Sequence, residues 1–286
     1  MPFIPYPECL NRLRQQVKQG KPIIGAGAGT GISAKFSERG GVDLIIIYNS
    51  GRYRMAGRGS CAGLLAYGDA NAIVVEMAGE VLPIVKNTPV LAGVCGTDPF
   101  RMMRVFLKQL KEMGFDGVQN FPTIGEIDGT FRRVLEETGM RFDQEIEMIQ
   151  LAHQLEMLTC PYVFDEDQAV AMTKVGADII VAHMCTTVAG SIGVSAATAP
   201  SLDECVKRVQ AIHDAGKRVN PDVIVLCHGG SIAQPEDVQY ILDRTEGIAG
   251  FFAASSVERL ATEPAIEAQA RRFKELHLKA RSHVRV

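Results

Sequence analysis

The chain has 286 residues, 47% of them hydrophobic, and a formal net charge of −3. That length suits one large α/β domain or two small ones, and the near-balanced charge gives no electrostatic case for nucleic acid or an anionic membrane. No apolar run approaches the roughly 20 residues that cross a bilayer. The opening Met1-Pro2-Phe3-Ile4-Pro5 lacks a basic region and is broken by prolines, so it does not read as a signal peptide. Seven scattered cysteines without a Cys-x-x-Cys pair fit a reduced, cytoplasmic protein.

In chain order, residues 8–19 predict a short helix across the closed end of a barrel. Pro22–Gly29 is a small-residue strand running into a glycine loop. Its spacing fails the dinucleotide fingerprint, because the sixth residue is Thr30 counted from Gly25 and Ile32 counted from Gly27. Close backbone approach to a ligand and tight barrel packing both explain such glycines. Ile32–Glu38 predicts a short helix and Asp43–Tyr48 the second strand. The loop Asn49–Ser60 follows, with Arg52, Arg54 and Arg58 and no acid. Guanidinium forks suit carboxylate or phosphate, and a solvated loop or subunit contact is the alternative.

Asn71–Val85 predicts a helix, and Pro89–Cys95 a strand that ends in Thr97-Asp98-Pro99. A helix with Met103, Leu107 and Leu110 on one face runs to Gly114. Gly117–Phe121 is the fourth strand, followed by a loop carrying Glu126 and Asp128. Two helices lead to Leu158, then Pro161–Phe164 reads as strand five, with Asp165 and Gln168 capping the next helix. Strand six is Asp178–Met184, and the small-residue stretch 185–195 after it reads as a mobile lid. Ser201 and Glu204 open a helix to about Lys217. Val223–Cys227 and Ile248–Ala253 are strands seven and eight, followed by His228-Gly229-Gly230-Ser231 and Ser255-Ser256. Residues 264–279 form a basic amphipathic helix.

Eight strands alternating with helices predict one (β/α)8 TIM barrel, a single domain over residues 1–286. A repeated punctuation agrees: Gly41-Val42-Asp43, Gly114-Phe115-Asp116 and Gly176-Ala177-Asp178 precede strands two, four and six. In such a barrel, chemistry collects at the strand C-termini. His183 and His228 end neighbouring strands there and suit proton transfer near neutral pH. Glu126 and Asp128 suit acid–base work or, with Asp98, Mg²⁺; Asp98 and Asp165 also suit simple helix caps. Gly229, Gly230 and Ser231, with Ser255 and Ser256, present amides and hydroxyls to a phosphate. Asn49, Arg52, Arg54 and Asn120 complete the substrate-binding set, and Glu258 and Arg259 end strand eight. Cys95, Cys185 and Cys227 also fall at strand ends and read first as small buried hydrophobes. Lysine is absent from every strand end, which argues against a Schiff-base aldolase.

The stretches GAGTGISAKF, DLIIIYNSGRYRMAGRGS, GVQNFPTIGEIDG, LEETGM, CHGGSIAQPED and ASSVERL resemble a bacterial and fungal family of TIM-barrel enzymes labelled phosphoenolpyruvate hydrolase-like or phosphonopyruvate hydrolase-like. The resemblance covers roughly residues 20–275. It implies a TIM barrel of the phosphoenolpyruvate-binding type, with Mg²⁺ holding an enolate or carboxylate, and hydrolysis of a small phosphorylated or phosphonate-bearing keto acid. The family also resembles the barrel half of a plant antiviral ATP-binding protein, which implies the alternative of a nucleotide- or phosphometabolite-binding regulator without turnover. A metal-dependent C–C lyase is the third reading. Two features depart from the phosphonopyruvate-cleaving relatives. They carry Asp-x-Asp after strand three, where this chain has Thr97-Asp98-Pro99. They also carry a gating loop with cysteine and lysine where this chain has Pro122–Gly129. The arginine loop and the basic terminal helix point to a homo-oligomer.

Overall fold

The computed structural model describes residues 4–278, so residues 1–3 and 279–286 of the expected domain, among them Lys279 of the expected terminal helix, lie outside it. The strands are β1 (Ile23–Gly27), β2 (Leu44–Ile47), β3 (Val90–Gly93), β4 (Gly117–Gln119), β5 in two segments (Leu158–Thr159 and Tyr162–Val163), β6 (Ile179–His183), β7 (Ile224–His228) and β8 (Gly250–Ala253). The helices are α1 (Tyr6–Lys18), α2 (Gly31–Arg39), α3 (Asn49–Met55), α4 (Ala70–Val81), α5 (Met103–Met113), α6 (Gly129–Glu137), α7 (Phe142–Gln154), α8 (Glu166–Lys174), α9 (Leu202–Val219), α10 (Pro235–Leu242) and α11 (Arg259–Lys274). Among the described residues no helix is long and apolar enough to cross a membrane.

All strand pairings are parallel. The sheet runs from the first segment of β5 through β4, β3, β2, β1, β8, β7 and β6 to the second segment of β5. Its two ends are therefore halves of one strand, separated only by Cys160 and Pro161. The Cys160 N–H donates to Val118 C=O at 3.0 Å, whereas Pro161 offers only its carbonyl, which accepts from Val181 N–H at 2.9 Å. A proline without an N–H is where a strand can change partners, and here the change closes the ring into the TIM-barrel fold. Strand five thus begins earlier than Pro161–Phe164 and is broken rather than continuous. Both faces of the ring are covered, and so β2 and β7 read as unbroken apolar runs with every residue buried.

The Gly-x-Asp repeat seals the end opposite the site. Gly41, Gly114 and Gly176 take φ of 88°, 103° and 97°, the left-handed geometry that ends a helix. Each aspartate then accepts an amide from the first two residues of the preceding strand: Asp43 from Ile24, Asp116 from Val90 and Asp178 from Thr159. Their remaining capacity goes to the N-terminal segment, through Gln16, Ile4 N–H and the Tyr6 hydroxyl.

The segment expected as an arginine loop is instead α3 followed by a 3₁₀ turn over Ser60–Leu64. The segment 185–195 is anchored rather than free. Val188 N–H donates to Gly230 C=O at 3.1 Å, Arg259 to Ala189 C=O at 3.0 Å, and Ser191 N–H to the Glu263 carboxylate at 3.0 Å.

Candidate functional site

The parallel register of β6 and β7 sets His183 beside His228 at their C-terminal ends. The ring centroids are 4.5 Å apart, and both residues are buried. Tyr162 packs 4.8 Å from the His183 ring and 5.0 Å from the His228 ring, and Phe164 packs 4.8 Å from His183. The His228 Nδ1 makes a short hydrogen bond to Phe252 C=O. A carbonyl only accepts, so Nδ1 carries the proton and the neutral ring keeps Nε2 as its free base. Burial pushes His228 down to about 4; the Phe252 bond opposes this and the nearby Arg54 charge adds to it. Burial, followed by the His228 and Arg208 charges, holds His183 well below its ordinary range. Both rings are therefore neutral at pH 7.

This has a consequence for stability. A histidine whose folded pKa is depressed leaves the fold undisturbed above its unfolded value near 6.5 and destabilises it as pH falls towards the folded value. Between pH 6.5 and 4 His228 alone is expected to remove roughly 3 kcal/mol. Thermal melts of the wild type should fall along that limb. The His228→Gln variant, which titrates nothing there, should lose visibly less between pH 6.5 and 4.5; identical acid limbs would refute the assignment.

Arg54 reaches the same place from α3. It is buried, with Nε donating to Glu258 Oε2 at 2.8 Å and Nη2 2.8 Å from the same oxygen as an ion pair not aligned for a hydrogen bond. Its Nη1 is buried without a partner. The other Glu258 oxygen accepts from Gly29 N–H at 2.6 Å. Packing accounts for the neighbouring glycines: a Cβ on Gly25 would lie 2.6 Å from the Phe252 ring, and one on Gly29 would lie 2.0 Å from Gly51 C=O. The glycine loop is thus built for close packing of the chain on itself.

These groups line an enclosed cavity of about 30 Å³ together with Tyr48, Ser50, Ser60, Phe121, Glu126, Tyr162, Thr186, Thr187, Ala254 and Ser255. That is room for about two waters. Burial raises the Glu126 carboxyl above its ordinary range, and a hydrogen bond from Thr186 at 3.1 Å works against that.

The structure thus brings His183, His228, Arg54, Glu126 and Ser255 together and places the other expected residues elsewhere. Gly230 N–H donates to Cys185 C=O at 2.7 Å, and Ser231 Oγ to Pro200 C=O at 2.6 Å. A Cβ on Gly229 would stand 2.2 Å from Cys185 C=O. The expected phosphate cradle of Gly229, Gly230 and Ser231 is therefore filled by the chain's own 185–200 segment. Ser256 Oγ is buried without a partner and does not line the cavity. Arg52 turns outward to Glu76 and Glu80, at 3.0 and 4.0 Å. Asn49 donates to Gly63 C=O at 2.9 Å and keeps a buried, unpartnered Oδ1. Asn120 bridges Glu145 at 2.7 Å and the Tyr162 backbone, accepting from Tyr162 N–H at 2.7 Å; it knits the broken fifth strand instead of facing the cavity.

The three expected metal ligands do not meet. Asp98 accepts from Phe100 N–H and Asn71 Nδ2 and pairs with Arg101; burial alone would raise its carboxyl, but these partners hold it below its ordinary range. Asp128 is exposed and lines a separate groove with Arg132 and Arg133. Asp165 caps α8 through Gln168 N–H at 2.8 Å, as its spacing predicts. Among the described residues no group of three or more His, Cys, Asp or Glu side chains is placed to hold a metal. Mg²⁺ takes six oxygens in near-ideal octahedral order and relies on carboxylates. The cavity offers one, and the donor set does not fit that ion.

Sequence reasoning passed over Ser50, Tyr48, Thr186, Thr187 and Tyr162. Ser50 follows the strand-end Asn49 and was within reach. Tyr162 was visible only to a reading that broke strand five at Pro161. The buried Glu145, pushed up to about 7 by burial against its bonds from Thr123, Ile124 and Asn120, carried a signal too. It shares a helical stripe with Met148, Ile149 and Ala152.

A family model described as phosphoenolpyruvate hydrolase-like matches residues 8–276. The ToMV susceptible protein tm-1(GCR26) of Solanum lycopersicum is 63% identical over 94% of this chain, which spans 35% of that protein's length. The protein y4pA of Sinorhizobium fredii, provisionally named a transcriptional regulatory protein, is 32% identical over 89% of the chain and 42% of its own length. The chain thus spans well under half of these curated relatives. A phosphonopyruvate hydrolase solved with oxalate and Mg²⁺ shares the fold, with a TM-score of 0.59 at 15% identity, over 93% of this chain and 87% of that one.

Proposed function

We propose an enzymatic role from one established premise: the chain belongs to the phosphoenolpyruvate hydrolase-like family. The substrate is a small keto acid whose carboxylate pairs with Arg54 and which carries a second anionic group, phosphonate or carboxylate, on the carbon next to its carbonyl. The observation that carries this reading is one cavity at the C-terminal ends of β6, β7 and β8. There an unpartnered guanidinium edge, two neutral imidazoles and a carboxyl with a raised pKa converge.

In the proposed reaction Arg54 Nη1 and the Ser255 hydroxyl hold the carboxylate. For a phosphonate substrate, His228 Nε2 takes a proton from water as its oxygen bonds to the phosphorus, which leaves as phosphate. The bond from that atom to the keto-acid carbon breaks, and its electron pair passes to the carbonyl as an enolate. Glu126, held towards its protonated form by burial, returns a proton to the enolate carbon. The cavity of about 30 Å³ is smaller than such a substrate, so its lining side chains must move apart for it to enter.

Incubation with phosphonopyruvate, phosphoenolpyruvate and oxaloacetate, read by release of phosphate and pyruvate from the first two and of pyruvate, oxalate or acetate from the third, tests this. Turnover of at least one is expected, and silence with all three from folded protein removes the enzymatic reading. A second reading, a regulator that binds a phosphometabolite or nucleotide without turnover, is favoured by the small volume of the cavity and by the names of the tomato and rhizobial relatives. Stabilisation by ATP and by no keto acid would select it; a ligand at 100 times its Kd adds about 2.7 kcal/mol.

A further inference from the structure

We infer that the cavity binds its acid without a divalent cation, the guanidinium of Arg54 standing where positive charge is needed. This rests on the proposed reading of the cavity as the ligand site and adds which charge recognises the ligand.

The carboxylates decide it. Of Asp98, Glu126, Asp128 and Glu258, only Glu126 lines the cavity. Both Glu258 oxygens are engaged, one by Gly29 N–H and one by Arg54. Both Asp98 oxygens are engaged by Phe100 N–H, Asn71 and Arg101. Asp128 lies in a different groove. A hard dication would find a single carboxylate, itself bonded to Thr186, in a cavity that a guanidinium also lines.

Arg54 gives the complementary half. Its Nη1 is a buried charged donor without a hydrogen-bond partner in the protein, with the Tyr48 side chain beside the guanidinium, and a ligand carboxylate is an occupant that would satisfy it. The imidazoles are neutral and Arg54 lines the cavity beside them, where Glu126 is the one carboxylate. A planar carboxylate fits a guanidinium edge through charge-assisted hydrogen bonds, with the Ser255 hydroxyl as a further donor. The ligand class is therefore a small planar dicarboxylate or α-keto carboxylate, recognised by arginine.

Isothermal titration of the purified chain with sodium oxalate, in EDTA and again in millimolar MgCl₂, is the test. The two Kd values are expected to agree within about twofold, and the Arg54→Gln/Glu258→Gln double variant to weaken binding at least about tenfold in both buffers. Manganese added to the wild type in the absence of oxalate should keep its full free-ion electron paramagnetic signal. Binding that appears only with Mg²⁺, or loss of one equivalent of free Mn²⁺, overturns the inference and leaves the keto-acid reading standing. Equal binding by the double variant overturns the role of Arg54. No heat in either buffer overturns the inference, and the reading beneath it falls only if the substrate incubations are also silent.

Discussion

Replacing His228 by Gln is expected to lower kcat on the keto acid by about 10²–10⁴-fold with the barrel still folded. The glutamine amide can still donate to Phe252 C=O, the bond that fixes the imidazole ring, so the loss isolates the basic Nε2. In the free protein His228 is held down to about 4, a weak base. A bound carboxylate beside it favours the charged ring and lifts that value towards the working pH, so the base gains strength when substrate is present. The kcat/KM of the wild type, which reports the free protein, should accordingly trace a bell, rising as His228 loses its proton near pH 4 and falling once Glu126 loses the proton it must return, and the rising limb should lie at a higher pH in kcat. A loss below tenfold in steady-state assays would put the proton on another group.

The ring itself was legible because parallel strands buried on both faces must be continuous apolar runs. Leu44–Ile47 and Ile224–His228 could hardly be anything else. Strand five was not, because its two paired segments are two residues each, with Pro161 between them. The histidine pair was legible for the same reason as the ring: once two strands are neighbours, their last residues are neighbours. The arginines were harder. Arg52 and Arg54 are two apart on α3, about 200° around a helix at 100° per residue, so one faces Glu76 and the other the cavity. A segment taken for a loop has no phase, and both looked equally suitable. The glycines show a different limit. Gly229 and Gly230 adopt φ of 76° and 59° under the Cys185 carbonyl. A glycine announces that something comes close, and the sequence does not say whether that is a ligand or the chain's own next loop. Asn120 misled in the same way: a polar residue at a strand end suggested substrate, while its amide was needed to mend the broken strand beside it.

Removing Glu258 alone is expected to harm the protein more than removing Glu258 and Arg54 together. Glu258→Ala leaves a buried guanidinium without its counter-charge and Gly29 N–H without its acceptor, a loss of about 3–5 kcal/mol in urea unfolding. Arg54→Met with Glu258→Leu removes the unpaired charge and fills both volumes with apolar atoms. Only the orphaned Gly29 amide then remains, worth about 1–3 kcal/mol, so the double variant should be at least about 1 kcal/mol more stable than the single one. Turnover should be abolished in the double variant despite that recovery. A buried ion pair is a poor way to hold a barrel together when an apolar pair does as well; what an apolar pair lacks is a guanidinium edge facing the cavity. If the double variant unfolds as readily as Glu258→Ala, the pair is architecture. If it is stable and still turns the acid over, Arg54 is not the group that binds it.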